Sequence, residues 1–556
     1  MTQIQKQKRD ILVTSALPYA NGHLHLGHML GYIQADIWVR FQKSLGNTCY
    51  YICGDDAHGT PIMINAKKHN KSPEEFIKEF HQEHLQDFTD FNIKFDNFYT
   101  THSEENKKFV EDIYNTLNNK NYFITKEIEQ SYDEKEQMFL PDRFVKGICP
   151  KCKAEDQYSD GCEVCGATYN HDELINPKSV VSGTTPIKKK SEHYFFDLPK
   201  LEPILKNWIN NNDNLQPEII NKLQEWFESG LIPWDVTRDA PYFGFEIPNK
   251  PNKYFYVWLD APIGYMASFK NFCDKNNVDF DKYWANKPEN STELIQFIGK
   301  DISYFHTLFW PAVLHAADYR KPSAIHVNGF LTVNGKKMSK SRGTFILAKK
   351  YLEYIQPEYI RYYFASKLNS KVEDIDLNLE DFVLKVNSDL IGKYINIASR
   401  TASFIRKYFD NNLAIELNKS SKDLFKQFTD KKQEIENLYN SREYSHAIKI
   451  IMELANIANH YIAEAKPWEL AKNIESNSEH KNQVLETCTL SLNLFKVLST
   501  YLQPILPTIA DQVALFLNLE TLEWNDIEHL LLNHKINKFK PLLQRLQTED
   551  VEKITV

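Results

Sequence analysis

Three histidines cluster in the stretch ANGHLHLGHMLG, at positions 23, 25 and 28. His25 and His28 are three residues apart, so on a helix they share one face and can converge on a single group. Gly27 between them has no Cβ, which allows a flat ring to approach the backbone closely. Unpaired backbone N–H groups at a helix start favour an anion, so the pattern predicts a site for an adenine and its phosphates. The alternative is a histidine-rich surface turn or a chance metal site.

A second stretch, NGKKMSKSRGTF, concentrates positive charge in Lys336, Lys337 and Lys340 between two glycines. It follows a predicted strand that ends near Gly329. Repelling cations in one loop favour a site for an anion, and a mobile loop can close after the substrate arrives. We expect the anion to be a triphosphate whose charge grows toward the leaving pyrophosphate. Taken alone, the run is equally typical of a solvated loop.

Two acids and several aromatic residues also follow predicted strands. Asp55 and Asp56 follow the second strand and could bind a metal, an ammonium group or a ribose, or could simply be acids at a helix start. An apolar pocket with a few polar groups is predicted from four residues: Trp258, Tyr265, Phe305 and His306. Ordinary core packing is the alternative for each aromatic ring. The chain contains neither the glycine-rich dinucleotide motif nor the P-loop motif.

Four of the eight cysteines form two C-x-x-C pairs in CPKCKAEDQYSDGCEVC, and these are Cys149, Cys152, Cys162 and Cys165. Four thiolates complete a tetrahedron around one Zn²⁺ and leave no position for a catalytic water. We therefore predict one structural zinc ion. A redox dithiol would need only one pair.

The elements that must position these groups can be predicted from hydrophobic patterns. Ile11–Val13 reads as a strand, Pro18 and Asn21-Gly22 as a turn, and a helix then continues through Phe41. The run 47–53 predicts a second, parallel strand. Further strands are predicted at 254–258 and 293–298, and the region from Pro73 to Asn119 is predicted to be helical. The fold class is α/β, with a Rossmann-like parallel sheet.

The predicted organisation has five parts, and the last is an all-α helix bundle. They are the first half of the sheet domain (1–119), an insertion with the zinc knuckle (120–235), the second half of the sheet domain with the lysine loop (236–348), a helical segment (349–385) and the bundle (386–556).

Composition excludes several classes of protein. The chain has 556 residues, 42% of them hydrophobic, and a net charge of −8, which argues against a protein that coats nucleic acid without specificity. Hydrophobic runs are too short to span a membrane, and the start MTQIQKQKRD lacks the apolar core of a signal peptide. We expect a cytoplasmic protein.

HLGH at 25–28 together with KMSKS at 337–341 resembles the signature pair of class I aminoacyl-tRNA synthetases. The resemblance extends along the chain to the bacterial methionyl-tRNA synthetase family through ALPYANGHLHLGH, DDAHGTP, MFLPDRFVKG, CPKC with CEVC, EWFESG, YVWLDAPIGY, VNGKKMSKSRGTF and DIDLNLEDFV.

The resemblance implies a two-step reaction in one site. Methionine and ATP, the latter with Mg²⁺, form methionyl-adenylate and pyrophosphate, and the 3′ end of elongator or initiator methionine tRNA then accepts the aminoacyl group. The implied catalytic residues are His25, His28, Lys337 and Lys340. The implied ATP-binding residues are His25, Gly27, His28, Gly329 and Lys340. These roles are electrostatic and positional, as expected for phosphoryl chemistry.

The family also implies a methionine site, in which Asp56 holds the substrate ammonium group. The backbone of Leu17 and the hydroxyl of Tyr265 would lie near the sulfur. A thioether forms only weak hydrogen bonds, so imperfect rejection of homocysteine or norleucine is expected. The full implied set is Ala16, Leu17, Tyr19, Asp56, Trp258, Ala261, Pro262, Tyr265, Ile302 and His306.

The family implies that residues 349–385 form a connecting unit that supports the acceptor stem of the tRNA. In the helix bundle it implies that Asn396, Arg400 and Trp468 read the CAU anticodon. Without the family, Trp468 is more typical of a core residue, and Asn396 with Arg400 is a polar helix face. Many relatives carry a further dimerising domain after the bundle, so we expect a monomer here. The alternatives are another class I synthetase, a small HxGH nucleotidyltransferase that charges no tRNA, and a non-catalytic RNA-binding module.

Overall fold

The computed structural model describes residues 8–159, 161–167, 169, 173–212, 214–287, 291–338 and 344–555. Strands and helices alternate first, as β1 (Asp10–Ser15), α1 (Leu26–Ser44), β2 (Thr48–Asp55), α2 (Thr60–Lys68), α3 (Pro73–Asp90), β3 (Asn97–Thr100) and α4 (Glu104–Asn119). An insertion follows, with β4 (Phe123–Asp133), β5 (Met138–Phe139), β6 (Val145–Ile148), β7 (Gln157–Tyr158), β8 (Ile175–Ser179), β9 (Ile187–Phe196), α5 (Glu202–Asn210), α6 (Pro217–Ser229), β10 (Trp234–Asp235), β11 (Thr237–Asp239) and β12 (Lys253–Phe255).

The alternation then resumes and gives way to helices. The next elements are α7 (Val257–Asn276), α8 (Asp281–Trp284), β13 (Glu293–Gly299), α9 (Trp310–Ala316), β14 (Ala324–Asn328), β15 (Leu331–Val333), β16 (Lys336–Lys337), α10 (Ala348–Leu352), α11 (Pro357–Lys367), β17 (Ile375–Leu377) and α12 (Leu379–Val386). The last helices are α13 (Asn396–Tyr408), α14 (Lys419–Thr429), α15 (Lys432–Asn440), α16 (Tyr444–Ala465), α17 (Pro467–Leu470), α18 (Ser478–Leu502), α19 (Pro507–Phe516) and α20 (Thr548–Lys553).

The central sheet has five parallel strands in the order β3, β2, β1, β13, β14. The chain leaves β1 toward one side of the sheet and later returns on the other side with β13. Ligands of such sheets bind outside the carboxyl ends of the strands, where the strand order reverses. The segment after β1 therefore lies at the expected site, and the predicted Rossmann-like class is confirmed.

Burial explains why these runs form central strands. Ile11, Leu12 and Val13 of β1 are fully buried, as are Tyr51, Ile52 and Cys53 of β2. Continuous apolar runs are typical of parallel strands that helices cover on both faces.

Two predictions about elements were wrong. The region from Pro73 to Asn119 is not helical throughout, because β3 joins the sheet between two helices as a short, half-buried edge strand. The aromatic run 254–258 is not a strand of the central sheet. Its strand ends at Phe255 and pairs with β11, and a helix begins at Val257 after the extended residue Tyr256. Trp258 therefore lies in the first turn of a helix.

The helix α1 connects the sheet to the C-terminal helices. Phe41 stacks on Tyr439 with ring centroids 4.9 Å apart, and the indole N–H of Trp38 donates to the carbonyl of Asn440 at 3.2 Å. Asp36 is buried and pairs at 2.7 Å with Arg361 of α11, which is fully buried as well. The helix that begins at the predicted nucleotide-binding turn is thus anchored along its length.

Among the described helices, none combines the length and the apolar character that crossing a membrane requires.

Candidate active site

The turn after β1 places His25 and His28 against each other at the start of α1. His25 is the N-cap residue, and its Nδ1 accepts the backbone N–H of His28 at 3.3 Å. The backbone N–H of His25 in turn donates to Nδ1 of His28 at 3.4 Å. This reciprocal pattern is a capping box built from two imidazoles. Because each Nδ1 accepts a hydrogen bond, a neutral ring carries its own proton on Nε2.

The two imidazoles are stacked, with ring centroids 3.6 Å apart and planes 21° apart. Desolvation by the surrounding atoms, the neighbouring His25 and the nearby His84 together lower the pKa of His28 to about 3, although the residue is exposed at the surface. His28 is therefore neutral at physiological pH, and an anion beside it would favour the protonated ring.

The segment that follows the lysine stretch lies directly against this histidine turn. The N–H of Leu26 donates to the carbonyl of Ile346 at 3.0 Å, and the N–H of Ala348 donates to the carbonyl of Leu24 at 2.9 Å. A Cβ on Gly27 would meet Sδ of Met338 at 3.2 Å. The histidine and lysine motifs, more than 300 residues apart in the chain, therefore face one cleft. Gly27 also lies against the ring of His25, so a side chain there would be crowded.

The lysine stretch is partly a hairpin rather than a simple loop. Lys336 and Lys337 form β16, which pairs with β15 through a turn at Asn334 and Gly335, both with positive φ. The carbonyl of Lys337 accepts the Thr344 hydroxyl at 2.9 Å. Lys340 lies outside the described residues.

Gly329 follows β14, as predicted, and close backbone packing explains why this residue is a glycine. A Cβ there would lie 2.1 Å from the carbonyl oxygen of Glu373, a distance that no side chain tolerates. This backbone approach brings β17 beside the lysine hairpin, where the Asp376 carboxylate accepts the N–H of Gly335 at 2.7 Å.

A cavity of about 390 Å³ opens beside the segment after β1. Its walls contain nine of the ten residues predicted for methionine; the exception is Ala16. The backbone of Ala16 pairs with Phe297 and accepts the hydroxyl of Tyr32 at 2.6 Å, so it supports the wall. Phe305, which was predicted for an apolar pocket, also lines the wall. The residues of the wall that were not predicted are Gly59, Thr60, Pro61, Pro141, Arg238, Tyr242, Tyr256 and Val257.

Arg238 is the charged member that sequence reasoning missed. Its guanidinium lies 3.5 Å from the ring centroid of Tyr256 and donates to Asp235 at 3.1 Å. The only signal was its position in the aromatic stretch WDVTRDAPYFGF, which returns across the crevice.

Asp56 places an unsatisfied carboxylate in this cavity. Its Oδ1 is buried and has no hydrogen-bond partner among the described residues. Burial, and then the charge of Asp260, raise the pKa of Asp56 well above its usual value. A buried carboxylate without a partner is costly, so the site favours a cation.

The polar groups at the other end of the cavity have defined hydrogen-bond directions. Nδ1 of His306 donates to the carbonyl of Ile302 at 3.1 Å, and Nε2 lies 2.9 Å from the hydroxyl of Tyr265. Burial lowers the pKa of His306 to about 4, so the ring is neutral. Its Nε2 therefore accepts a hydrogen bond from the hydroxyl group of Tyr265.

Comparison with known proteins identifies the chain. Residues 11–402 match the family model described as tRNA synthetases class I (M), and residues 414–552 match the anticodon binding domain of methionyl tRNA ligase. The chain belongs to the methionine–tRNA ligase family.

Individual relatives agree with this assignment. The chain is 58% identical over 547 residues to the methionine–tRNA ligase of Francisella tularensis subsp. tularensis, covering 98% of this chain and 80% of that relative. The fold resembles Mycobacterium tuberculosis methionyl-tRNA synthetase in complex with methionyl-adenylate, with a TM-score of 0.78 at 20% identity over 96% of this chain and 99% of that one. The apo form of the same mycobacterial enzyme gives 0.73 at 19% identity, over 97% and 99%. This chain is a methionine–tRNA ligase, as the motifs predicted.

The four cysteines of the ligase form one cluster with ligand atoms within 4.8 Å of one another. Sγ of Cys149 lies 3.9 Å from Sγ of Cys165, and Sγ of Cys152 lies 3.5 Å from Sγ of Cys162. Tetrahedral zinc with Zn–S bonds of about 2.3 Å requires sulfurs about 3.8 Å apart. The backbone N–H of the second cysteine in each pair donates to the first sulfur at 3.4 Å. The cluster can therefore hold a zinc ion.

In the helix bundle, two of the residues predicted to read the anticodon are in contact. The guanidinium of Arg400 lies 4.6 Å from the ring centroid of Trp468. Trp468 is only half-buried and is the second residue of the short helix α17, which begins at Pro467. Asn396 begins α13 and donates to the Asn459 side chain at 2.9 Å.

Proposed function

We propose that the ligase binds L-methionine in the cavity beside β1, with the substrate ammonium group on Asp56. The unsatisfied, buried Oδ1 of Asp56 is the observation that carries this proposal. Trp258, Pro262 and Ile302 supply apolar walls for the thioether chain, and polarizable sulfur packs well against rings. Ala16, Leu17, Tyr19, Ala261, Tyr265 and His306 complete the site.

ATP binds across the cleft between the two signature motifs. His25 and His28 direct Nε2–H donors at the reacting phosphates, and Gly27 admits the adenine. Lys337 and Lys340 neutralise the pyrophosphate end, and Gly329 lies beside the nucleotide. ATP enters as its Mg²⁺ complex. In this arrangement the protein positions the methionine carboxylate and stabilises charge, without covalent catalysis.

The second product is methionyl-tRNA. Asn396, Arg400 and Trp468 read the CAU anticodon of elongator and initiator tRNA, because an indole ring with an adjacent guanidinium suits unstacked bases. The zinc ion, one per chain, is structural: it folds the insertion and has no open coordination position. We further propose the five-part division given above and a cytoplasmic location.

The decisive experiment measures methionine-dependent ATP–pyrophosphate exchange. Loss of one hydrogen-bond donor to a charged transition state costs about 10²- to 10³-fold in rate. We expect losses of this size for His28→Ala and Lys340→Ala, with methionine affinity unchanged. His529→Ala, an exposed histidine in the bundle, is the matched control. Exchange at the wild-type rate in both variants would refute the proposed ATP site.

A further inference from the structure

A buried histidine outside both signature motifs connects the sheet to the histidine turn. Asp55, the last residue of β2, is buried, and its carboxylate accepts hydrogen bonds from two histidines of α3. Nδ1 of His84 lies 2.7 Å from its Oδ1, and Nδ1 of His81 lies 2.6 Å from its Oδ2. On its other side, Nε2 of His84 lies 2.9 Å from the carbonyl oxygen of Gly22. Gly22 is in the turn, three residues before His25.

The partners of His84 determine its charge. A carboxylate and a backbone carbonyl only accept hydrogen bonds, so each ring nitrogen of His84 must carry a proton to donate. The side chain is fully buried, and burial opposes protonation, but the hydrogen bond and charge of Asp55 raise the pKa of His84 above its usual value. The other titratable groups that face it are Glu83 and Asp87 of α3 and His28 of α1.

The neighbours of Gly22 in the histidine turn also contact α2 and α3. The amide of Asn65 in α2 donates to the side chain of Asn21 at 2.9 Å, and His23 pairs with Glu83 of α3. Gly22 lies between these two contacts. The backbone at Ile346 and Ala348 also pairs with the turn, at Leu26 and Leu24. The turn is thus held by α2, α3 and the segment after the lysine hairpin.

We propose that His84, as an imidazolium anchored on Asp55, is a positioning residue for ATP activation. Its hydrogen bond to Gly22 fixes the histidine turn, and its positive charge, paired with Asp55, lies near the proposed site of the phosphates. This inference rests on the proposed role of the turn in binding ATP. His84 does not contact the substrate; it acts through the backbone of Gly22 and through the local electric field.

His81 offers a matched control. It lies on the same helix and bonds the same carboxylate, but its ring stacks on Phe98, with centroids 5.1 Å apart, instead of reaching the turn. A purely structural role of the Asp55 cluster would make both histidines equally important. A positioning role makes only His84 important for the reaction.

The test compares His84→Gln with His81→Gln in methionine-dependent ATP–pyrophosphate exchange. Glutamine can donate to one acceptor but cannot bridge both acceptors with a positive charge. Small displacements of catalytic groups cost up to about 100-fold in rate. We expect kcat of His84→Gln to fall about 10- to 100-fold, KM for methionine to stay within about twofold, and His81→Gln to remain within about twofold of wild type.

Equal loss in both variants, or wild-type kcat in His84→Gln, would overturn the inference. His28→Ala measured in the same assay separates the proposed ATP site from the proposed role of His84. If His28→Ala is inactive while His84→Gln is normal, only the positioning role of His84 is refuted. Should His84→Gln not fold, ¹⁵N spectra of the wild-type imidazoles decide. We expect both nitrogens of His84 to be protonated at pH 7.5, and a neutral ring would refute the proposal.

Discussion

Replacing Asp56 with asparagine should lower the affinity for methionine and raise the stability of the fold. In the free ligase, Oδ1 of Asp56 is buried and has no partner within the described part of the chain, and Asp260 repels its charge. When folding raises the pKa of a carboxyl group, the group's contribution to stability is fully present only below the pKa of the unfolded chain. That contribution is lost as the pH rises through the raised pKa of the folded protein. At pH 7.5 the buried Asp56 carboxyl group therefore destabilises the native state, and a neutral amide of the same shape removes this destabilisation.

The expected magnitudes follow from burial. Each unit by which the fold raises the pKa of Asp56 corresponds to about 1.4 kcal/mol, so Asp56→Asn should increase the free energy of unfolding at pH 7.5 by 1 kcal/mol or more. Removing one partner of a buried charge pair costs about 2–5 kcal/mol in binding. Methionine affinity should therefore fall by about 30- to 5,000-fold.

Two measurements test this prediction: urea unfolding without substrate, and methionine titration by calorimetry. Asp133→Asn is the control, because Asp133 is also buried but is well satisfied. Burial raises its pKa, but hydrogen bonds from Ser179, Ser182 and the backbone outweigh this effect and lower it. Asp133→Asn should be destabilised and bind methionine normally. If Asp56→Asn is destabilised, or binds methionine like the wild type, the reasoning about the cavity is wrong.

Three further predictions concern separate parts of the chain. Cys162→Ser should lose most of the single zinc ion, and full occupancy by metal analysis would contradict the Cys₄ assignment. Burial lowers the pKa of His306 to about 4, so native His306 excludes a proton that the unfolded chain binds below pH 6.5. Stability should then fall on acidification, by about 2 kcal/mol from pH 7 to 5, and the urea unfolding of His306→Gln should lack this component. Trp468→Ala should weaken charging of CAU-anticodon tRNA about 5- to 150-fold at unchanged pyrophosphate exchange; equal charging would refute the anticodon role.

The parts of the site that could be predicted are those in which neighbouring residues in the chain are neighbours in space. β1, the histidine turn and α1 are contiguous, so their periodicity and turn residues were sufficient. The two C-x-x-C pairs are equally local. The cleft between Gly27 and Met338 depended on motif pairing, because periodicity alone says nothing about contacts between segments so far apart.

The errors have physical causes. β3 is a four-residue edge strand without buried residues, so it lacks both the length and the alternation that mark a strand. The stretch around Trp258 is rich in aromatic residues, which favours a strand locally, but packing of Ile263 and Met266 in the core favours a helix. His84 was missed because α3 is highly charged and its histidines are 26 and 29 residues from Asp55. The spacing of His81 and His84 on one face was the only signal.

The charges of this site fall into two groups that are treated in opposite ways. Asp55 is satisfied by two histidines and serves the architecture, whereas its neighbour Asp56 retains a buried oxygen without a described partner. Likewise His84 is held as a cation, whereas His28 is kept neutral beside it. The carboxylate that serves the architecture is paired, and the carboxylate that binds substrate is left without a described partner until the substrate supplies the opposite charge. The free energy lost by leaving Asp56 unsatisfied thus becomes selectivity for an amino acid over an uncharged analogue.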